Sequence, residues 1–403
     1  MELLKKRWIY VVNGVVILLF MGCSYAWSVF VVPLEYSYGW SRSETSLAFT
    51  LNLIFFSIGS IMVGIFSKKL SFSTILKIAA VMISIGFFTS SFVERVELIY
   101  LTYSFLCGCG IGAGYSCVIS SAPLWFPEKS GMITGILLMG YALSTAIFSP
   151  IINSLIQLLG ISYTFKILAL ISFIGLILGS FLLKIPTHEE SSQLPQESRP
   201  HNNRTNNINT SQMIKKPLFW NYYILSAFNA GIGLTIINHV TPMLKEDLFI
   251  SSALASIVVS IISICNGGGR IIWGMVFDRQ GIKKTLSYIN IVMLCSSFLL
   301  TFSLSIKNQY LFIFAASILL FVFGGNASLM PTIVRYLFGC DNFSLNYSIL
   351  STSCIIQASL PTIVGTIHTM TSNYFIPTKI LLIISILNIL LLFIMIKLYN
   401  REY

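Results

Sequence analysis

The amino-acid sequence predicts an all-α integral membrane protein whose twelve transmembrane helices form two pseudo-symmetric six-helix bundles. The first observation is composition: 55% of the residues are hydrophobic, 10% are charged, and the mean hydropathy is +0.83. Soluble domains carry roughly 25% charged residues, so this chain of 403 residues cannot cover its surface with polar side chains. The other two observations are a series of apolar runs and a motif that occurs once in each half.

Twelve apolar runs follow one another along the chain. A helix needs roughly 20 apolar residues to cross the core of a bilayer, and each run is about that long. The first run is too long for the apolar part of a signal peptide, so we interpret it as a retained span. The runs lie at 9–32, 45–66, 74–93, 97–121, 131–157, 162–183, 218–240, 252–276, 285–305, 310–335, 345–370 and 374–397.

A polar segment divides the runs into two sets of six. Residues 184–217 read KIPTHEESSQLPQESRPHNNRTNNINTSQMIKKP and are rich in Asn, Ser, Gln and Pro. Such a composition cannot bury a core, which predicts a flexible linker. The predicted organisation is an N-terminal six-helix bundle (1–183), a cytoplasmic linker (184–217) and a C-terminal six-helix bundle (218–403).

Basic residues are concentrated in the loops on one side of the predicted membrane. Loops rich in Lys and Arg stay in the cytoplasm, so we expect a multi-pass protein of the cell membrane with both termini inside. The formal net charge of +11 then sets the topology and does not indicate nucleic-acid binding. The basic residues on the predicted cytoplasmic side are Lys5, Lys6, Arg7, Lys68, Lys69, Lys77, Lys129, Lys184, Arg199, Arg204, Lys215, Lys216, Arg279, Lys283, Lys284, Arg335, Lys397 and Arg401.

A motif of glycine and basic residues follows the second and the eighth runs. The copies begin at Gly64 and Gly274, 210 residues apart, and each is followed by a pair of lysines. Two repeated halves are typical of transporters, whose substrate site lies at mid-membrane between them. The second copy contains a candidate conformational latch, in which Asp278 caps a helix or pairs with an Arg. The alternative is a basic turn that only sets topology. The latch residues are Gly274, Asp278, Arg279 and Gly281.

Arg270 is the strongest candidate for a binding residue. It lies inside the eighth run, directly after three glycines, and no acid is evident within the apolar runs to neutralise it. A charge inside the membrane usually marks a substrate pathway, and a guanidinium binds a carboxylate through two parallel hydrogen bonds. These features favour an anionic substrate. The alternatives are that Arg270 reaches the cytoplasmic interface or pairs structurally.

Aromatic and polar side chains in other runs are further candidates for substrate binding. Tyrosine can donate a hydrogen bond to a carboxylate while its ring excludes water, although a tyrosine in a membrane helix often only packs. For Asn326 and Gln357 the alternative is a hydrogen bond between helices. His239 and His368 lie near the external ends of their runs and could relay a proton or be satisfied interface residues. The candidates are Tyr25, Trp27, Tyr115, Tyr141, Asn266, Asn326, Cys354 and Gln357.

No pattern in the sequence predicts an enzyme, a cofactor or a metal site. Seven of the eight cysteines lie in apolar runs, and no CxxC pair or His/Cys ligand spacing occurs. We interpret these cysteines as small buried hydrophobic residues. There is also no nucleophile–base pair and no phosphate-binding loop, so the sequence predicts no catalytic residues.

The motif after the eighth run resembles the signature loop of the major facilitator superfamily, and the chain resembles the oxalate:formate antiporter family within it. The likeness covers both halves: residues 7–41, Gly112-Ala-Gly114-Tyr115, Gly140-Tyr141 and Arg270 through Gly281. The resemblance implies the major facilitator fold and transport of small organic anions. It also implies a second cation, a lysine, in the eleventh span, where this chain has Cys354. In the related monocarboxylate carriers an acid precedes the Arg by one turn, where this chain has Asn266.

These observations predict a secondary transporter of small organic anions that works by alternating access. With one cation in place of two, we expect monocarboxylates of the formate, lactate or pyruvate class. The expected partners are the anion, the lipid bilayer and either a counter-transported anion or a proton. Alternatives are an oxalate/formate-type dicarboxylate exchanger, a carrier of a drug, sugar or amino acid, and a membrane sensor that does not transport.

Overall fold

The computed structural model describes residues 2–23, 27–195 and 207–402, and every element in them is helical. Contacts between residues divide the chain into two units. Unit 1 comprises Met1–Arg199 with Cys340–Ile349, and unit 2 comprises Pro200–Gly339 with Leu350–Tyr403. The main division falls within the predicted linker. The short segment 340–349, however, comes from the C-terminal half of the sequence and packs in unit 1.

Unit 1 contains eight α-helices before the middle of the linker. Helix α3 begins at a capping box, in which Ser41 and Glu44 satisfy each other's backbone N–H groups. A π-helix, Tyr100–Cys107, joins α5 to α6. The helices are α1 (Glu2–Met21), α2 (Trp27–Tyr38), α3 (Arg42–Phe66), α4 (Phe72–Ser90), α5 (Val96–Ile99), α6 (Gly108–Ser121), α7 (Ser130–Leu182) and α8 (His188–Gln193).

The remaining helices belong to unit 2, except that the first part of α13 packs in unit 1. Helix α10 continues into a second π-helix, Met243–Asp247. The chain passes from unit 1 to unit 2 at the end of α13, next to the turn at 352–353. The helices are α9 (Thr210–Ile214), α10 (Pro217–Pro242), α11 (Ser252–Ser305), α12 (Gln309–Phe338), α13 (Phe343–Ser351), α14 (Cys354–Thr371) and α15 (Phe375–Glu402).

Nine helical segments in the described residues are long and apolar enough to cross a membrane. Two of them contain a pair of predicted spans each, because α7 turns at Gly160 and α11 turns at Gly281. Both glycines have a φ near +82° (82° and 83°), which other residues rarely adopt. The apolar helix Arg7–Met21 is shorter than these segments and lies in the first predicted run. Each of the twelve predicted runs thus contains all or part of one of these helices in the described part of the chain.

The described ends of the linker contain short helices where the sequence predicts only flexible chain. Helix α8 begins at a capping box between Thr187 and Glu190, and α9 begins at one between Asn209 and Gln212. These local pairs satisfy the first backbone N–H groups, which favours a helical turn without an apolar core. The backbone N–H of Ile208 also donates to the carbonyl oxygen of Phe338 in unit 2 (3.0 Å). Residues 196–206 lie outside the described part.

Candidate functional site

Arg270 lies on α11, half-buried, where α11 packs closely against α12. Glycines on both helices make this approach possible. A Cβ on Gly269 would overlap the carbonyl oxygen of Phe321, and a Cβ on Gly324 would overlap that of Asn266. Glycine is therefore needed at both positions for the two backbones to meet. Gly269, which directly precedes Arg270, thus has a packing role.

Two polar side chains lie one turn from Arg270 on the same face of α11. Asn266 precedes it by four residues and Trp273 follows it by three, the spacings that place side chains together on a helix. Asn266 Oδ1 and Trp273 Nε1 are buried, and neither has a hydrogen-bond partner among the described residues. An unsatisfied buried polar atom costs about 1–3 kcal/mol. Both atoms are thus suited to a water or a ligand.

Helix α12 is joined to its neighbours by hydrogen bonds that use two of its polar side chains. Ser328 Oγ donates to the carbonyl oxygen of Arg270 (2.9 Å). The buried amide of Asn326 donates to the carbonyl oxygen of Ser226 on α10 (3.2 Å). This second contact is the helix–helix hydrogen bond that the sequence left open as an alternative to ligand binding.

The other two candidates in unit 2, Cys354 and Gln357, lie in the first turn of α14. Gln357 Nε2 donates to Ser353 Oγ one turn earlier (2.9 Å), so this hydrogen bond stays within the helix. Cys354 is half-buried. Of the five unit 2 candidates, Arg270 and Asn266 lie together on α11, while Asn326, Cys354 and Gln357 belong to α12 and α14.

In unit 1 two of the candidate tyrosines meet. The rings of Tyr115 on α6 and Tyr141 on α7 lie edge to face, with centroids 5.3 Å apart. The hydroxyls of Tyr115 and Tyr347 lie 3.3 Å apart. Phe56 on α3 packs edge to face on Tyr115 as well. Tyr347 is not among the candidates from the sequence, because nothing local in the chain indicates that the segment 340–349 packs against α6.

Trp27 occupies the interior of unit 1. Its Nε1, the indole's single donor, binds the carbonyl oxygen of Thr45 (2.9 Å). Its ring stacks on Tyr103 with centroids 4.1 Å apart. In this structure Trp27 therefore joins α2 to α3. Tyr25, the remaining candidate, lies outside the described residues.

The latch candidates lie in and next to the turn within α11. Gly274 is buried, Asp278 is half-buried and Arg279 is exposed. Asp278 stands three residues before Gly281, at the C-terminal end of the first half of α11, where a helix dipole disfavours a negative charge. The role of these four residues as a latch stays a prediction.

A buried ion pair in unit 1 was also missed in the sequence. The guanidinium of Arg7 lies 2.7 Å from the carboxylate of Glu128 and 4.0 Å from the centre of the Phe126 ring. In the sequence Arg7 contributes only to the topology signal, because its partner is more than a hundred residues away. Among the described residues, no group of three or more His, Cys, Asp or Glu side chains could hold a metal ion.

Comparisons with known proteins match this architecture and both halves of the sequence. The family model of the Major Facilitator Superfamily matches residues 12–356. The chain is 29% identical over 353 residues to the oxalate:formate antiporter of Oxalobacter formigenes, covering 86% of this chain and 81% of that protein. It is 22% identical over 279 residues to monocarboxylate transporter 10 of Rattus norvegicus, covering 65% of this chain and 53% of that one.

Among solved structures, the chain resembles the transporter FucP in its outward conformation. The TM-score is 0.74 at 11% sequence identity, and the alignment covers 96% of this chain and 98% of that one. Such a likeness supports the fold. Together with the family match, it shows that this chain belongs to the Major Facilitator Superfamily.

Proposed function

We propose that this transporter carries small monocarboxylates of the formate, lactate or pyruvate class by alternating access. The observation that carries the proposal is Arg270, half-buried on α11 and flanked on one helix face by the unsatisfied polar atoms of Asn266 and Trp273. A guanidinium binds both oxygens of a carboxylate. In our proposal Arg270 is the principal ligand of the anion.

The neighbours of Arg270 fit a carboxylate and a small polar substituent. Trp273 Nε1 is only a donor, so it can serve a carboxylate oxygen. Asn266 Oδ1 is an acceptor, which suits the hydroxyl of a 2-hydroxy acid such as lactate. A buried site with unpaired polar groups discriminates against ligands that leave them unpaired. We expect both atoms to contribute to selectivity.

The number of cations favours one carboxylate. Residues 345–370 contain no Lys or Arg, and Cys354 stands where the resemblance implies a lysine. A dianion held by a single guanidinium would leave one charge unpaired in a medium of low dielectric, which is costly. The alternative, dicarboxylate exchange, is favoured by the 29% identity to the oxalate:formate antiporter.

Uptake by the purified full chain in proteoliposomes tests this proposal. We expect saturable uptake of labelled formate or lactate, with oxalate slower by at least about tenfold. Cys354→Lys should raise oxalate uptake, because it supplies the second cation. Cys340→Lys, the same substitution at an exposed position in the loop before α13, is the matched control.

Faster uptake of oxalate than of formate by the wild type would support the dicarboxylate alternative. Transport that does not depend on a carboxylate in the substrate would overturn both the monocarboxylate proposal and the dicarboxylate alternative.

We also propose that the chain lies in the cell membrane with both termini in the cytoplasm, as the distribution of basic loops indicates. Cys340 is exposed in a loop that this topology places inside. A membrane-impermeant maleimide should label it only after cells are permeabilised. If intact cells are labelled and the label is absent in Cys340→Ser, Cys340 lies outside and the termini have the opposite orientation.

A further inference from the structure

A cluster of titratable side chains lies at the end of unit 2 opposite the linker, away from Arg270. We call it the histidine cluster; it consists of His239, Glu246, Asp247, His368 and Tyr374. It joins the end of α10 and its π-helix, the end of α14, and the turn before α15. Ser372, with φ of 52°, ends α14 in a left-handed conformation and directs the chain into this turn.

Hydrogen bonds fix the neutral tautomer of His239. Its Nε2 lies 3.0 Å from the carbonyl oxygen of Pro361, and its Nδ1 lies 3.2 Å from the hydroxyl of Tyr374. A carbonyl oxygen can only accept, so Nε2 carries the proton and Nδ1 accepts from the hydroxyl. His239 is thereby satisfied in its neutral form and links α10 to α14.

His368 has surroundings that respond to its charge. Its Nε2 lies 3.2 Å from a carboxylate oxygen of Glu246, and its ring stacks on Tyr374 with centroids 4.0 Å apart. Protonation turns the first contact into an ion pair and the second into a cation–π contact. Both contacts therefore strengthen when the imidazole becomes charged, and both fasten the end of α14.

Other titratable and charged groups lie near His368, on the π-helix and on the elements next to it. Burial, together with the Glu246 and Asp247 carboxylates, raises the pKa of Tyr374 to about 12, so its hydroxyl stays protonated. Asp247 accepts a hydrogen bond from the backbone N–H of Tyr374 (2.8 Å). Cations of the adjoining elements include Lys245, which is exposed, and Lys379 on α15, whose amine lies over the Phe375 ring. Lys307, after α11, has its amine over the ring of Phe249 (5.6 Å).

We propose that the histidine cluster is a proton-binding site that regulates transport, with His368 as the group that takes up the proton. The protonated ring binds Glu246 and fastens α14 to the π-helix at the end of α10. Helix α14 also carries the candidate binding residues Cys354 and Gln357 in its first turn. Fastening the other end of α14 therefore restrains a helix that moves in the proposed transport cycle. Acidification on the cluster's side of the membrane slows exchange. The slowing of exchange rests on the proposed function, whereas proton binding by His368 does not depend on it.

Thermal unfolding of the purified protein tests proton binding without any substrate. Histidine normally changes charge between pH 5 and 8. The wild type should gain about 1–3 °C in melting temperature between pH 8 and pH 5.5 relative to His368→Gln and Glu246→Gln. His368→Lys keeps a positive charge between pH 5.5 and pH 8, so it should retain the gain at pH 8. His188→Gln, in the linker, is the matched control. Equal pH dependence in wild type and His368→Gln would overturn the proposal.

Exchange in proteoliposomes, with pH varied on one side at a time, tests regulation. Acid on the cluster's side should slow formate exchange about two- to fivefold in the wild type, and His368→Gln should remove this dependence while keeping the rate at pH 8. If the pH-dependent gain in melting temperature is present but formate is not transported, the proposed substrate is wrong and the proton site stands. Transport with the same pH profile in wild type and His368→Gln would refute the regulatory role.

Discussion

Both units contain buried hydroxyl pairs, among them Ser297 with Ser385 in unit 2 (2.9 Å), but unit 2 also contains a chain of buried amides. In unit 1, hydroxyls pair: Ser60 lies 2.6 Å from Ser116 and 2.9 Å from Ser348, and Ser120 lies 2.8 Å from Ser344. In unit 2, amides form a chain in which Asn388 donates to Asn229 (2.8 Å) and Asn229 donates to Asn290 (3.2 Å). All three asparagines are 1% exposed or less.

This difference bears on how readily each contact can be broken. A serine hydroxyl can return to a carbonyl of its own helix, and Ser348 already makes such a bond to Ser344 (2.6 Å). The amide of Asn229, in the middle of the buried chain, uses both its nitrogen and its oxygen on neighbouring helices, so separating it breaks two contacts at once. The segment 340–349 is therefore attached to unit 1 by contacts suited to exchange, whereas α10, α11 and α15 are joined firmly.

The largest expected effect concerns Arg270, the charged candidate of unit 2, whereas the candidates described in unit 1 are aromatic. Arg270→Gln should reduce formate uptake about 100-fold, because the anion loses its cation in a half-buried site. Arg270→Lys keeps the charge but loses the paired hydrogen bonds, so we expect a loss of about tenfold. Initial rates in proteoliposomes measure both. Arg401→Lys, exposed at the end of α15, is the control, and wild-type rates in Arg270→Gln would remove the proposed ligand.

The amide chain should be the next most sensitive feature. Asn229→Leu leaves Asn290 Oδ1 and Asn388 Nδ2 buried without partners, which should lower the free energy of unfolding by about 2–4 kcal/mol. Asn238→Leu lies on the same helix, is exposed and breaks only a bond within α10, so it should change stability by less than about 0.5 kcal/mol. Thermal unfolding in detergent compares the pair. Equal melting temperatures of Asn229→Leu and Asn238→Leu would show that the buried amide chain adds no more stability than an exposed amide.

A smaller and more local effect is expected in unit 1 at Gly64. A Cβ there would lie 2.5 Å from the Cα of Leu345, so Gly64→Ala should push the segment 340–349 away from α3. We expect hydrogen exchange in residues 343–351 to accelerate about tenfold, the effect of roughly 1.4 kcal/mol of overpacking. Gly268→Ala places its methyl group in open space and should leave that exchange unchanged. Unaltered exchange in Gly64→Ala would mean that α3 does not hold the segment.

The contrast between local and long-range information explains what could be predicted from the sequence. The twelve spans were found because the length of an apolar run is a property of adjacent residues. Arg270 became a candidate because a charge inside such a run is conspicuous, and Asn266 because it stands where the resemblance implies an acid. The pairing of Arg7 with Glu128, the contact of Tyr115 with Tyr347 and the placement of 340–349 depend on which helices become neighbours. Trp273 was not among the candidates from the sequence, and its buried Nε1, without a partner among the described residues, is the observation that adds it.

Tyr374 should give the smallest effect, and one that depends on the sign of a pKa shift. Its folded pKa, raised to about 12 chiefly by burial, exceeds the value near 10 of an unfolded tyrosine. Between pH 10 and 12 the native state therefore holds the proton more tightly, and stability is lost as the pH rises. Tyr374→Phe should be slightly less stable than wild type below pH 10, because it loses the hydroxyl contact with His239, and the difference should narrow above pH 10. Melting temperatures from pH 9 to 11.5 measure this, with Tyr310→Phe, exposed at the start of α12, as control. A difference that widens with pH would mean that Tyr374 ionises more readily in the folded protein than its surroundings imply.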